Sequence, residues 1–292
     1  MDTLPHRSVV VIGLPSSGKT TFLAALWHTI CDHELATKLS FHSLRSGDSA
    51  YLNAIAKLWR NAKLQERTFI SGSRLVSINL KDQSNTPLVA TFPDIAGETF
   101  RDMWERRECD SKEVEYLRGG GLLLFIHADN IKSPRWVVDM TAMAKELDVE
   151  IPADGNIPWH PKYAPTQVKI VSLLSLLREE PLDIGPRRLA VMLSAWDKVR
   201  DEGLTPDKFI EEKLPLLHQY LRQDADKWEW RAYGVSAQGG DYDKLDPKNP
   251  QAPASAEAES LLALDSPSTR IQLVYKEIES HDLTEPLEWL IS

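Results

Sequence analysis

Residues 8 to 21 read SVVVIGLPSSGKTT, and few other stretches of this length restrict a fold so strongly. The opening run is apolar and β-branched, as a buried strand requires, while TFLAALWHTI after it carries apolar residues at helical spacing. Between strand and helix, Gly13-Leu14-Pro15-Ser16-Ser17-Gly18-Lys19-Thr20 form a complete phosphate-binding loop. Gly13 and Gly18 allow a turn tight enough to aim successive amide hydrogens at phosphates, and the N-terminus of the following helix adds a favourable dipole. The pattern assigns Gly13, Pro15, Ser16, Ser17, Gly18, Lys19, Thr20 and Thr21 to nucleotide binding. Lys19 is expected to reach the β- and γ-phosphates, and the Thr20 hydroxyl to take one magnesium position.

Further along, strands alternate with helices. A first helix is expected over about 18–31 and a second over YLNAIAKLWRNAKL near 51–64. SRLVSINL (73–80) and PLVATFPD (87–94) read as a hairpin across KDQSNT, followed by a charged helical stretch near 100–117. GGLLLFIHAD (120–129), RRLAVMLSAWD (187–197) and EWRAYGVSA (229–237) read as further strands. This alternation predicts an α/β protein with a mainly parallel sheet, one antiparallel hairpin strand and helices on both faces. In such sheets ligands bind at the carboxyl ends of the strands. One domain over 1–292 is expected, with insertions at about 32–67, 131–165 and 239–268 and a helical segment over 269–292. The Pro-rich 131–165 and the partly low-complexity 239–268 are expected as surface loops open to a protein partner, with a closing helix from about Ser268 to Ser280.

Three more motifs fall at expected strand ends. In Phe92-Pro93-Asp94-Ile95-Ala96-Gly97-Glu98, Asp94 can hold magnesium through water and Gly97 can turn its amide toward a γ-phosphate. In Ser194-Ala195-Trp196-Asp197-Lys198, the Asp197 carboxylate can accept hydrogen bonds from N1 and N2 of guanine, an edge at which adenine offers no matching donors. In Val235-Ser236-Ala237-Gln238, the Ala237 amide can meet the guanine O6.

In order and character these four motifs resemble the Ras-like small GTPases of the translation-factor-related (TRAFAC) phosphate-loop class, over residues 8–129 and 187–240. The resemblance implies a three-layer G domain, GTP or GDP with Mg2+ as its ligands, and a protein effector or activator. It maps the second switch onto Asp94 and Gly97, the base-reading aspartate onto Asp197 with Lys198 beside it, and the serine-alanine loop onto Ser236, Ala237 and Gln238. Lys19, Thr68, Gly97 and Glu98 become the catalytic set and Thr20, Thr68 and Asp94 the metal set, with Ser71 and Ser73 as alternatives to Thr68 for the first switch. Arg67 and Arg101 are candidates for an arginine finger in cis. In overall style the chain looks like the bacterial GTPases of multi-gene conflict or defence systems.

Several positions depart from the family pattern. Ser194 and Ala195 stand where the family has Asn or Thr and then Lys, which removes an alkyl stem over the base. Glu98 stands where many members carry a water-orienting glutamine; its charge is repelled by the γ-phosphate, so slow hydrolysis is expected. Pro15 stiffens the loop against an arginine arriving in trans.

Composition excludes other classes. Lys and Arg number 34 against 43 Asp and Glu, a net charge of -9 without a basic block, which argues against direct nucleic-acid binding. The nine tryptophans are scattered rather than arranged as a stacking platform, with Trp196 nearest the expected base. Cys31 and Cys109 are too few for a disulfide framework or zinc site and fit a reducing cytoplasm. No signal core, membrane-length apolar run or prenylation cysteine is expected to anchor the chain. Slow GTP hydrolysis coupled to a switch is thus the leading expectation. An ATPase or small-molecule kinase, and a GTP-loaded scaffold without turnover, are the alternatives.

Overall fold

The computed structural model describes residues 8–46, 49–64, 74–94, 98–109, 111–134, 160–183, 185–225, 227–244 and 253–292. Its centre is set by β1 (Ser8–Gly13), whose Val9 to Gly13 are all buried. Successive strand residues point to opposite faces, and here both faces are apolar. Val9 and Val11 enter one core cluster and Val10 and Ile12 the other. The same division recurs in β5 (Gly121–His127), where Leu123 and Phe125 face one side and Leu122, Leu124 and Ile126 the other. A sheet buried on both faces must be covered by helices on both, which gives three layers.

β2 (Ser40–Ser46), β3 (Arg74–Lys81), β4 (Pro87–Asp94), β6 (Arg187–Ser194), β7 (Trp228–Ser236), β8 (Gln272–Tyr275) and β9 (Ile278–Ser280) complete one nine-stranded sheet, ordered β2-β3-β4-β1-β5-β6-β7-β8-β9. β4, β1, β5, β6 and β7 pair in parallel, and β3 and β8 run against their neighbours. From β1 the chain passes to the edge strand β2, steps back inward through β3 and β4, and then crosses to β5 on the other side of β1. That reversal opens a crevice at the carboxyl end of β1.

α1 (Lys19–Asp32) and α2 (Ser49–Arg60) cover one face, together with Leu287, Trp289 and Leu290 of α9 (Glu285–Ile291). α3 (Glu98–Arg106), α4 (Ser111–Leu117), α5 (Thr166–Leu176), α6 (Pro206–Lys213) and α7 (Pro215–Gln223) cover the other through Phe100, Leu117, Leu173, Phe209 and Leu221 among others. A further helix, α8 (Ala256–Leu262), starts where the Ser255 hydroxyl accepts the Ala258 amide. Among the described residues no helix is long and apolar enough to cross a membrane.

Several expectations are corrected. The segment expected as a helix over 268–280 is the end of a 3-10 turn, Pro267–Arg270, followed by the hairpin of β8 and β9, and the helix α9 begins only at Glu285. Ile271, Val274 and Ile278 fit helical spacing, but the neighbours Leu273 and Val274 enter opposite cores, as only a strand allows. The antiparallel content therefore exceeds the single expected hairpin strand. The polar connection inside 32–67 contains the strand β2, whose two irregularities against β3 break the period of two that would have marked it. Part of the expected loop 239–268 is the helix α8, while 245–252 lies outside the described residues, as does 135–159 of the Pro-rich segment. The charged stretch near 100–117 is two helices, parted at Arg107 with φ 60°.

Arg187, at the start of β6, shows how the far end of the sheet is held. It is 5% exposed and donates to the carbonyls of Leu117 (2.7 Å) and Leu182 (2.8 Å). Burial, with Arg178 nearby, pushes its guanidinium down to about 10. Arg187→Met would leave both carbonyls unpaired, so a loss of about 2–3 kcal/mol is expected in equilibrium urea unfolding.

Candidate functional site

The phosphate loop occupies the crevice at the end of β1. Gly13 has φ 150°, Ser16 φ 60° and Gly18 φ 87°, so the chain reverses through conformations that glycine adopts readily and serine at a cost. Both glycines are also close contacts. A Cβ on Gly13 would come 2.7 Å from the Phe125 carbonyl, and one on Gly18 would come 2.9 Å from Ser194 Cβ. The loop is thereby laid across the ends of β5 and β6. Gly18 caps α1, whose first turn carries no acidic residue, so the positive end of the helix dipole is uncancelled by its own side chains.

Lys19 Nζ donates to Gly13 O at 2.7 Å, Leu14 O at 2.8 Å and Ser17 Oγ at 3.2 Å. Its ammonium is thus held over the loop. Ser17 is buried, Pro15 and Ser16 are exposed, and Thr20 and Thr21 are half-buried at the head of α1. Asp94 ends β4, the parallel neighbour of β1, and Glu98 opens α3. Thr68 and Gly97 lie outside the described residues, as do Arg67, Ser71 and Ser73.

The other half of the site lies at the ends of β6 and β7. Ser194 is buried, with its hydroxyl 3.4 Å from the Ile126 carbonyl. Ala195 then turns into the left-handed region at φ 54° and starts a single 3-10 turn, Trp196–Lys198. Trp196 is the wedge that fixes this turn. It is 3% exposed, meets Phe209 edge-on at 5.5 Å, and lies so close to Gly234 of β7 that a Cβ there would be 2.4 Å from its ring. With the indole pinned below, Asp197 stays half-exposed at the sheet edge and Lys198 pairs with Asp241 at 2.8 Å. The hydrogen bond it donates to Asp241 raises the Lys198 ammonium above its ordinary range.

Ser236 ends β7 fully buried, and its hydroxyl accepts the Gly239 amide at 3.1 Å, closing the loop that carries Ala237 and Gln238. Asp197, Lys198, Ser236 and Gly239 line a cavity of about 450 Å³, walled on its far side by Arg270 and Gln272 of the C-terminal segment. That volume lies within the ordinary range for small-molecule sites.

The motifs at 13–21, 94, 194–198 and 236–238 thus share one edge of the sheet. Sequence reasoning missed the residues that brace it. Trp59 of α2 donates its indole N–H to the Ala237 carbonyl at 2.7 Å. Arg270 stacks over the Trp59 ring at 3.9 Å and donates to the Trp59 carbonyl. The helical pattern marks Trp59 as a core residue, but no local signal announces a partner 178 residues away. His127, which ends β5 in register with Ser194, has a buried Nδ1 without a hydrogen-bond partner.

Comparisons with known proteins agree with these motifs. A family model described as Double-GTPase 1 matches residues 10–290. No curated protein matches the chain. Among solved structures, the signal recognition particle receptor SRb-GTP/SRX complex of Chaetomium thermophilum is similar at 12% identity, covering 81% of this chain and 92% of that one, with a TM-score of 0.39. The GTP-bound Ski7 GTPase-like domain of S. cerevisiae is similar at 15% identity over 88% of this chain and 48% of that one, with a TM-score of 0.39. A GDP complex of the small COPII coat GTPase SAR1 from Encephalitozoon cuniculi is similar at 10% identity over 98% and 79%, with a TM-score of 0.33. Scores this low leave the assignment to the family match and the sheet topology.

The Trp196 wedge has a measurable consequence. Gly234→Ala must displace the indole and should cost about 1–3 kcal/mol in urea unfolding, as overpacking does. Gly240→Ala, whose added Cβ would meet nothing nearer than Leu261 Cδ1 at 3.5 Å, should leave stability nearly unchanged.

Proposed function

The chain is a member of the Double-GTPase 1 family, and from that premise we propose that it binds GTP with magnesium, hydrolyses it slowly to GDP and phosphate, and acts as a nucleotide-controlled switch for a protein partner. The observation that carries the reading is the contact between the two halves of the site. Gly18 of the phosphate loop lies directly against Ser194, which opens the base-reading turn. One ligand carrying phosphates at one end and a base at the other matches that arrangement.

The proposed roles follow the chemistry of each group. Lys19 and the loop amides bind and orient the phosphates. Asp197 accepts the N1 and N2 hydrogens of guanine, and the Ala237 amide meets O6. The first-switch role belongs to Thr68, and Gly97 turns its amide to the γ-phosphate. Magnesium takes oxygen ligands and keeps several waters, and the available donors fit. Thr20 stands in the first turn of α1 and Asp94 is the last residue of β4, the strand beside β1, so a hydroxyl and a carboxylate are the residue types that would hold the ion. When bound, the ion neutralises charge on the β- and γ-phosphates. Glu98 stands where many family members carry a water-orienting glutamine, and a carboxylate in that role is repelled by the γ-phosphate, which favours slow turnover.

The test is a titration of the nucleotide-stripped protein with GTP and with ATP in the presence of Mg2+, following tryptophan fluorescence and phosphate release together. Tighter binding of GTP than ATP, with slow release, is expected. Lys19→Ala should abolish affinity for both nucleotides, and Asp197→Asn should cut the preference for GTP by about 10- to 100-fold. Equal or ATP-favouring binding by the unmodified protein would reject base reading by Asp197.

A further inference from the structure

The C-terminal end of α1 carries a polar group that the nucleotide site does not use. His28 is 3% exposed, and Asp32 and Glu34 lie at the surface beside it. One ligand atom from each of the three lies within 4.8 Å of the others. His28 Nδ1 is hydrogen-bonded to Asp32, one helical turn on, while Nε2 faces Glu34 Oε1 at 3.5 Å without a hydrogen bond. The other Glu34 oxygen is taken, accepting from the Ser266 hydroxyl at 2.6 Å and the Ser268 amide at 3.1 Å. Ser268 is fully buried beside it.

This arrangement sets an electrostatic problem. A neutral imidazole has one N–H, and Nδ1 gives it to Asp32. The lone pair on Nε2 then lies opposite a carboxylate oxygen, two acceptors with no donor between them. Protonating the ring would supply the missing hydrogen, but His28 is 3% exposed and burial works against the imidazolium.

We propose that His28 Nε2 and Glu34 Oε1 bind a divalent transition-metal ion such as zinc, with Asp32 holding the ring from behind through Nδ1. The spacing suits the ion. Two ligands about 2.1 Å from one centre and 3.5 Å apart subtend roughly 110° there, close to a tetrahedral angle. The Asp32–His28 pair is the carboxylate–histidine arrangement that orients metal-bound imidazoles. Water completes the coordination. A nitrogen ligand separates this site from the all-oxygen magnesium set of the phosphate loop. Because Glu34 also binds Ser266 and Ser268, the ion would fasten the end of α1 to the turn that leads into β8.

The experiment is calorimetric titration of the metal-free, nucleotide-free full chain with Zn2+, repeated with Co2+ by visible absorption to detect a tetrahedral ion. One equivalent should bind. Glu34→Gln, a surface change that spares the core, should weaken binding by at least ~10-fold, and Asp32→Asn by about 10- to 100-fold. Thr20→Ala, which touches only the phosphate-loop set, should leave it unchanged. Absence of saturable binding, equal affinity in the Glu34→Gln variant, or a His28 ring that NMR shows doubly protonated at neutral pH would each overturn the site.

Discussion

The approach of the phosphate loop to the end of β6 is the constraint on which the rest of the site depends. Gly18 sits where any side chain would collide with Ser194, and Gly13 where any side chain would collide with the Phe125 carbonyl. The loop can cross β5 and reach β6 only because both positions lack a Cβ and accept the backbone angles of the crossing. Ser194 contributes by being small, with both its Cβ and its hydroxyl against Gly18. Two motifs 176 residues apart in sequence, at 18 and 194, are thereby pressed into one surface. The order of the strands, with β1 between β4 and β5, puts that surface at the crevice where the chain reverses direction.

A second organising contact is Trp59. Its ring is nearly fully buried between Arg270 on one side and His28, 4.9 Å away, on another, while its N–H reaches the Ala237 carbonyl. Four separate stretches of chain meet on this one indole: α1, α2, the loop after β7 and the turn before β8. The loop after β7 is therefore braced by a residue of the core on that face of the sheet. Motion of α2 would be felt at Ala237 through a single hydrogen bond.

Local signals made much of this legible. The Gly13 to Thr20 motif, the β-branched strands and the strand-end positions of Asp94 and Ser236 are short-range patterns that the observed strands carry where expected, while the strand expected through Asp197 stops at Ser194 and leaves Asp197 in a 3-10 turn. What escaped depended on distant partners. β2 is polar and irregular, and becomes a strand only because β3 offers it an edge. β8 and β9 have apolar spacing compatible with a helix, and the open edge of β7 decides otherwise. Trp59, Arg270 and Asp241 act through contacts that no window of ten or twenty residues contains. Thr68 and Gly97 lie outside the described residues, so their roles rest on the motif reading alone.

In the proposed site the missing lysine at Ala195 removes an alkyl stem over the base, which lowers affinity and relaxes the preference for guanine. Selectivity there would fall to the hydrogen-bond pattern that Asp197 can accept, and the turn holding Asp197 is fixed from below by Trp196 against Gly234. The pair of Lys198 and Asp241 spans the two base loops, but both side chains are substantially exposed, at 38% and 64%, and a surface pair of that kind contributes at most about 1 kcal/mol. The closure of the cavity therefore rests on buried contacts rather than on that ion pair. In the proposed site this separates two tasks, with the phosphate loop and Lys19 supplying most of the binding and the Trp196 turn supplying selectivity.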